Sequence, residues 1–270
     1  MSLNKKVAFI GAGNMAEALI RGLLATSAVA PSEIVATDIR PERLEFFTKT
    51  LGIGAARDNA SAANDAEVLV LAVKPQQTSE ALASLRPPPA VLFISIAAGV
   101  TTSRIERELG GRVRVIRAMP NTPALVGAGA TALARGAHAT NEDLATAETI
   151  LGAVGLVVRV DETQMDAVTA LSGSGPAYVF LVVEAMIKAG VAQGLTESLA
   201  KKLAVQTVYG ATKLLMESPD EPQALRRKVT SPGGTTEAAL KVMTDRKLVK
   251  TFAEAIKAAA HRSKEMSGPD

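Results

Sequence analysis

The sequence predicts an α/β domain built on a doubly wound parallel sheet over residues 1–160, followed by an all-α domain over residues 161–270. Two observations carry the prediction. Short apolar runs alternate with helical patterns through the first half, as the crossover connections of a parallel sheet require. After Asp161 the strand signals stop, and Ala-, Leu- and Val-rich segments at helical spacing take over, broken only at points such as Gly173-Ser-Gly-Pro176, Gly190, Gly194 and Ser218-Pro219. The chain of 270 residues fits two domains of the usual size, about 100–200 residues each.

Taken in order, strands are expected at residues 7–10, 34–37, 68–73, 91–96 and 113–117, each a short apolar run bounded by turn residues. Helices at 15–26, 41–51 and 102–109 connect them, and strands at 130–133 and 156–160 flank a helix at 141–152 and extend the same sheet. Pro87-Pro88-Pro89 reads as a stiff loop entering the strand at Val91. In the second domain Val179, Leu181, Val182, Val183, Ala185, Met186 and Ile187 leave one helix little polar face. Such a helix wants cover on most sides, and a domain of about 100 residues supplies too few neighbours, which points to a homodimer.

Composition excludes several classes of function. Cysteine is absent, which removes disulfides, thiolate metal sites and Cys nucleophiles and agrees with a cytoplasmic location. Aromatic residues are 3% with no Trp, and the net charge of +3 is spread among acids rather than gathered in a stripe, so no nucleic-acid partner is expected. The apolar run after Lys5-Lys6 is broken by Gly11, Asn14 and Glu17, so no exported leader is expected, and no apolar run approaches the roughly 18 residues of a membrane span. His138 and His261 lie in no motif and read as surface residues, against His acid catalysis and against a metal centre.

Gly11-Ala-Gly13-Asn14-Met15-Ala16 follows the first strand and opens the first helix. That context is the one a dinucleotide fingerprint needs: Gly11 for the tight turn, Gly13 for close approach of backbone to a pyrophosphate, Ala16 for packing of helix on strand. The first domain therefore reads as Rossmann-like. Asp38 ends the second strand, where an acid grips the adenine ribose of NADH, but Arg40 and Arg43 follow, and an arginine there holds the 2′-phosphate of NADPH. The choice between NADPH and NADH stays open, as does an N-cap role for Asp38 ahead of Pro41. Ala72-Val73-Lys74-Pro75 and Ala97-Ala98-Gly99 sit at carboxyl ends of strands, the edge where α/β sheets bind ligands. Asn121, in Met119-Pro-Asn-Thr-Pro123, is either a contact to substrate or nicotinamide or the side chain of an Asx turn.

Ser231-Pro-Gly-Gly-Thr-Thr236 admits two readings. The N–H groups of Gly233, Gly234 and Thr235 at a helix mouth would make an anion pocket. Alternatively Thr235 or Thr236 caps a helix that starts near Glu237. Ser172-Gly-Ser-Gly-Pro176 suggests close packing before the most apolar helix, and Glu162 stands at a helix start, where an acid is favoured.

These motifs, together with the string from Asp166 to Tyr178 and in this order, resemble the pyrroline-5-carboxylate reductase family over about residues 5 to 265. The resemblance implies an NAD(P)-dependent reduction of the cyclic imine 1-pyrroline-5-carboxylate to L-proline. It implies a homodimer with interleaved carboxy-terminal helices, often built into a larger ring, with substrate meeting the nicotinamide between the sheet and the partner's helices. It implies that Ser231, Gly233, Gly234, Thr235 and Thr236 hold the carboxylate, with Thr236 beside the imine nitrogen. Glu162 would be a substrate-side acid and Asn59 a cofactor-side amide, whereas Lys228 stands where some relatives carry Asn. Two other readings compete: a different small-substrate NAD(P)-dependent dehydrogenase, which would need a Lys or His acid beside a carbonyl, and a non-catalytic nucleotide-responsive regulator.

Overall fold

The computed structural model describes residues 3–85 and 91–267, so the expected Pro87-Pro88-Pro89 loop lies outside the described residues. Eight strands form one sheet in the order β3-β2-β1-β4-β5-β6-β7-β8. They are β1 (Val7–Ile10), β2 (Ile34–Thr37), β3 (Gly54–Ala55), β4 (Val68–Leu71), β5 (Leu92–Ser95), β6 (Arg114–Met119), β7 (Gly129–Arg135) and β8 (Gly155–Arg159). β6 and β7 pair antiparallel and every other neighbouring pair is parallel. The connections are α1 (Asn14–Ala25), α2 (Pro41–Phe46), α3 (Asn59–Asn64), α4 (Thr78–Ala83), α5 (Thr102–Leu109) and α6 (Asn141–Gly152).

Strand alternation divides the core between the two faces of the sheet. Val7 and Phe9 of β1 point to the face that also buries Leu19 and Leu23 of α1 and Ile150 of α6. Ala8 and Ile10 point to the other, with Leu69, Phe93 and Ile105 of α5. β1 sits between β2 and β4, so the chain winds outward from it in both directions, and a crevice opens at the carboxyl ends of β1 and β4.

The expected elements differ in detail. β4 stops at Leu71 because the Ala72 N–H makes the last bond to β1, at Ile10 O, before the chain turns into Pro75. The helix expected over 41–51 is α2 followed by a π turn, Phe47–Leu51, which buries Phe47 and Leu51. β3, α3 and α4 were not anticipated.

By compactness the chain divides into one unit of Met1–Ser174 with Lys257–Asp270 and another of Gly175–Ile256, so that residues 161–174 pack with the first. The cause is local packing. Helix α7 (Met165–Val168) places Met165, fully buried, with Ala132 and Ala134 of β7, and a methyl on Gly173 would overlap the end of Met119. The second unit holds α8 (Gly175–Ala192), α9 (Glu197–Glu217), α10 (Pro222–Lys228), α11 (Thr235–Asp245) and the first part of α12 (Leu248–Ser267). α8 packs on α9, and a methyl on Gly190 would lie 3.3 Å from Ala200 Cβ. Ala200 and Ala204 are buried there, but α8 buries none of its residues. The helical stretch Glu162–Ala192 is long and apolar enough to cross a membrane by length and composition, although polar residues such as Ser172, Ser174 and Glu184 interrupt its apolar run.

Candidate active site

Gly11 turns the chain at the end of β1. Its N–H donates to Thr37 O at 2.8 Å, its φ is +101°, and a methyl there would come within 2.7 Å of Ala72 O. Only glycine satisfies both the left-handed backbone and the close approach. Gly13 is the opposite case, since a methyl on it would meet no protein atom within 4 Å. It is the N-cap of α1 with no side-chain cap, so the N–H groups of Asn14 and Met15 at the helix mouth face no capping side chain. A pyrophosphate fits this mouth by charge and by space.

The crevice at this point is a cleft of about 770 Å³ whose walls include Gly11, Gly13, Asp38, Arg40, Asn59 and Lys74, with Ala72 and Val73 below. Pro75 follows as the first residue of a 3-10 turn. A second, smaller hollow of about 230 Å³ lies at the other end of the strands, where Lys5 pairs with Glu67 and Arg114 with Asp143. The larger cleft is the one built from the predicted residues.

Asp38 is committed before any ligand arrives. Its Oδ2 accepts the Ala12 N–H at 2.7 Å and Arg40 Nη2 at 3.2 Å, while Oδ1 accepts the Arg40 N–H at 2.9 Å and Arg40 Nε at 3.0 Å. Burial alone would raise the carboxyl pKa, but the bonds from Arg40 and the Ala12 N–H outweigh it and hold the group below its ordinary 3.8. Asp38 thus ties the glycine loop to β2 rather than capping α2. Arg43 is also committed, with Nε on Ala12 O at 2.8 Å and Nη2 on Glu17 Oε2 at 2.9 Å, which leaves Arg40 as the arginine of that pair on the cleft wall. Asn59 accepts from the Thr37 hydroxyl and donates to Ser84 Oγ, so its amide is fixed at the rim. Arg57 and Asp58 line the cleft too and were missed. Asp58 caps α3, and the Ser61 hydroxyl and N–H, with Arg57, hold its pKa at about 2. An Arg-Asp pair just before a predicted cofactor-side Asn was the available signal.

Three predicted groups lie outside the walls of this cleft. Ala97, Ala98 and Gly99 follow β5 but do not line the cleft. Asn121 is used internally: Oδ1 accepts the Ala130 N–H at 2.9 Å, and Nδ2 reaches Ser172 O at 3.2 Å and Ser172 Oγ at 3.3 Å. The amide ties the start of β7 to the π turn after α7. Glu162 is no free acid either. Its Oε1 accepts the Thr102 N–H at 2.8 Å and buried Arg117 at 3.2 Å, and its other oxygen accepts the Thr102 hydroxyl, so it serves the start of α5. The partners lie 51 and 60 residues away, beyond the reach of local pattern.

In the second unit, Ser231-Pro-Gly-Gly234 is a tight turn in which the Gly234 N–H donates to Ser231 O at 3.0 Å and Gly233 takes φ +70°, the Pro-Gly pattern of a type II turn. α11 starts at Thr235 with Gly234 as N-cap, so neither Thr235 nor Thr236 caps it. Of the three N–H groups expected to be free, that of Gly234 serves the turn, and that of Gly233 donates to Glu237 Oε2 at 2.8 Å. The chain's own carboxylate therefore occupies part of the mouth. This departs from an open pocket, yet it is the anion such a mouth attracts. Lys228 is paired with Asp220. His138 and His261 are exposed.

Comparison with known proteins places the start of the second domain at residue 162, next to the boundary expected from the sequence. Residues 162–266 match the family model for pyrroline-5-carboxylate reductase dimerisation, and residues 6–99 match that for NADP oxidoreductase, coenzyme F420-dependent. The chain is 46% identical to a pyrroline-5-carboxylate reductase from Synechocystis sp., over 97% of this chain and 98% of that one. Among solved structures it is similar to a pyrroline-5-carboxylate reductase from Coxiella burnetii at 42% identity, TM-score 0.92, covering 98% of this chain and 99% of that one. It is also similar to a Plasmodium falciparum pyrroline carboxylate reductase with NADP bound, at 30% identity and TM-score 0.89, covering 99% and 100%. The dimerisation match accounts for the uncovered apolar surface of α8 by self-association. With its dinucleotide cleft in one unit and its helix-mouth turn in the other, the chain belongs to the pyrroline-5-carboxylate reductase family.

Proposed function

We propose that this chain reduces 1-pyrroline-5-carboxylate to L-proline with NAD(P)H. The observation that carries the reading is the full-length identity to reductases of that name, and the cleft at Gly11 and Gly13 supports it independently. The bound cofactor supplies a hydride to the imine carbon. The imine nitrogen gains a proton, and because a cyclic imine is partly protonated in neutral water the protein need not hold a strong acid. Its residues bind and orient: the mouth of α1 takes the pyrophosphate, and Lys74 at the rim reaches a phosphate or ribose hydroxyl. The Ser231–Thr236 turn takes the substrate carboxylate once Glu237 releases the Gly233 N–H, and the Thr236 hydroxyl delivers the proton directly or through water. Orientation can lower such a barrier by about 7–11 kcal/mol at best, enough to make positioning the dominant contribution.

The same reading favours NADPH over NADH. Both oxygens of Asp38 are already bonded, and Arg40 and Arg57 stand on the cleft wall where a 2′-phosphate would lie. It also keeps a larger ring of dimers and a cytoplasmic location. The test is a steady-state assay at 340 nm with pyrroline-5-carboxylate, run with each cofactor in parallel. Loss of absorbance with a lower KM for NADPH is expected. Cofactor binding without any absorbance loss would instead favour the regulator reading.

A further inference from the structure

The last turn of α12 lies against the loop that follows β5. A methyl built on Gly99 would sit 3.2 Å from Met266 Cβ and 3.4 Å from the Met266 carbonyl oxygen, so the backbone at Met266 passes directly over the loop. Three residues earlier, the Ser263 hydroxyl donates to Asp166 Oδ1 at 2.7 Å, and Ser263 is only 4% exposed. Asp166 stands four residues after Glu162, whose carboxylate holds the N–H and hydroxyl of Thr102. The contacts close a circuit. It runs from Gly99 along the chain to Thr102, across to Glu162, up one turn to Asp166, across to Ser263 and back over Gly99 through Met266. All of these residues belong to the first compact unit, although α12 up to Ile256 belongs to the second. A half-buried hydroxyl–carboxylate bond is not needed to exclude water, where a hydrocarbon pair does as well. Its directionality instead fixes where the end of α12 rests.

We propose that Ser263 and Met266 are positioning residues for the Ala97–Gly99 loop, setting its height above the sheet and through it the affinity for the nicotinamide half of the cofactor. The proposal rests on the reductase reading, with the cofactor extending from the cleft at Ala72 and Val73 to the neighbouring loop after β5. It gives the end of α12 a task separate from self-association.

The test uses calorimetric titration of the full-length protein with two ligands. NADPH spans the whole site, and 2′,5′-ADP needs only the cleft at Asp38. Ser263→Ala and Asp166→Asn are expected to weaken NADPH about three- to tenfold while 2′,5′-ADP changes by less than about twofold. Ser263→Thr, which keeps the hydroxyl, restores NADPH affinity. A chain ending at Lys264 retains Ser263 but loses Met266, and the same selective loss is expected from it should Ser263→Ala fold poorly. Equal losses for both ligands, or no loss of NADPH affinity, would overturn the positioning role. Ala98→Val separates the two levels of the argument. If it too leaves NADPH affinity unchanged, the loop is not at the cofactor and the site assignment fails. If it weakens NADPH while the Ser263 and truncated variants do not, only the positioning role fails.

Discussion

Helix α1 of the first unit and α8 of the second are both rich in apolar residues, and they end in opposite environments. α1 buries Ala16, Ala18, Leu19, Ile20 and Leu23. α8 buries none of its residues and leaves Phe180 61% and Leu181 66% exposed. Each such side chain forgoes about 1.5–3 kcal/mol of burial, so a run of them is unstable in water without cover. The first unit completes its core within one chain, whereas the second completes its core with another copy. Stability of the first should therefore follow its own packing, and stability of the second should follow protein concentration.

The largest effects test that split directly. Phe93, fully buried in the centre of the sheet, should cost about 3–5 kcal/mol as Phe93→Ala, read by denaturant unfolding, with the oligomeric mass unchanged. Leu181→Glu should do the reverse: the mass by light scattering falls at micromolar concentration, while NADPH binding in the cleft persists. A Leu181→Glu protein that keeps its native mass would break the comparison, because α8 would then owe its apolar face to something other than a second copy.

A smaller effect concerns acid stability of the first unit. The folded pKa of Asp38 lies below 3.8, so its bonds stabilise the fold above that pH and are lost as pH falls through the folded value. Asp38→Asn should lower stability at neutral pH, flatten the decline in stability below about pH 3.8, and loosen the glycine loop that Ala12 anchors. Parallel acid limbs for the variant and the parent protein, followed by circular dichroism, would mean that the carboxylate contributes no net stability.

The same contrast explains what could be read in advance. β1, β2 and the Gly11–Ala16 turn were legible because each is a local pattern that the sheet buries whole. β3, α3 and α4 were not, being two to six residues long and poor in large apolar side chains. The partners of Asn121 and Glu162 were illegible for a different reason. Polar side chains advertise that they need partners without saying which, and theirs are a serine and a threonine far along the chain. Glu237 is the instructive exception, since a carboxylate four residues after Gly233 was in plain view and is what the helix mouth captured. The fold was thus readable from hydrophobic pattern, whereas the site depended on pairings that only the folded chain reveals.

Two helix-interior glycines give the smallest and sharpest test. Gly22 of α1 and Gly210 of α9 would each gain about 0.5–1 kcal/mol of helix stability as alanine if nothing stood in the way. At Gly22 the added methyl would come within 2.7 Å of the Ala153 carbonyl oxygen, so Gly22→Ala should destabilise by about 1–3 kcal/mol. At Gly210 it would meet no atom of its own chain within 4 Å. Gly210→Ala should therefore raise the unfolding midpoint slightly wherever that face of α9 remains open in the assembly. If it instead weakens self-association, measured by sedimentation across a dilution series, a second copy approaches α9 as closely at Gly210 as Ala153 approaches α1 at Gly22. Either sign is informative, because the single chain leaves the position empty and only another copy can fill it.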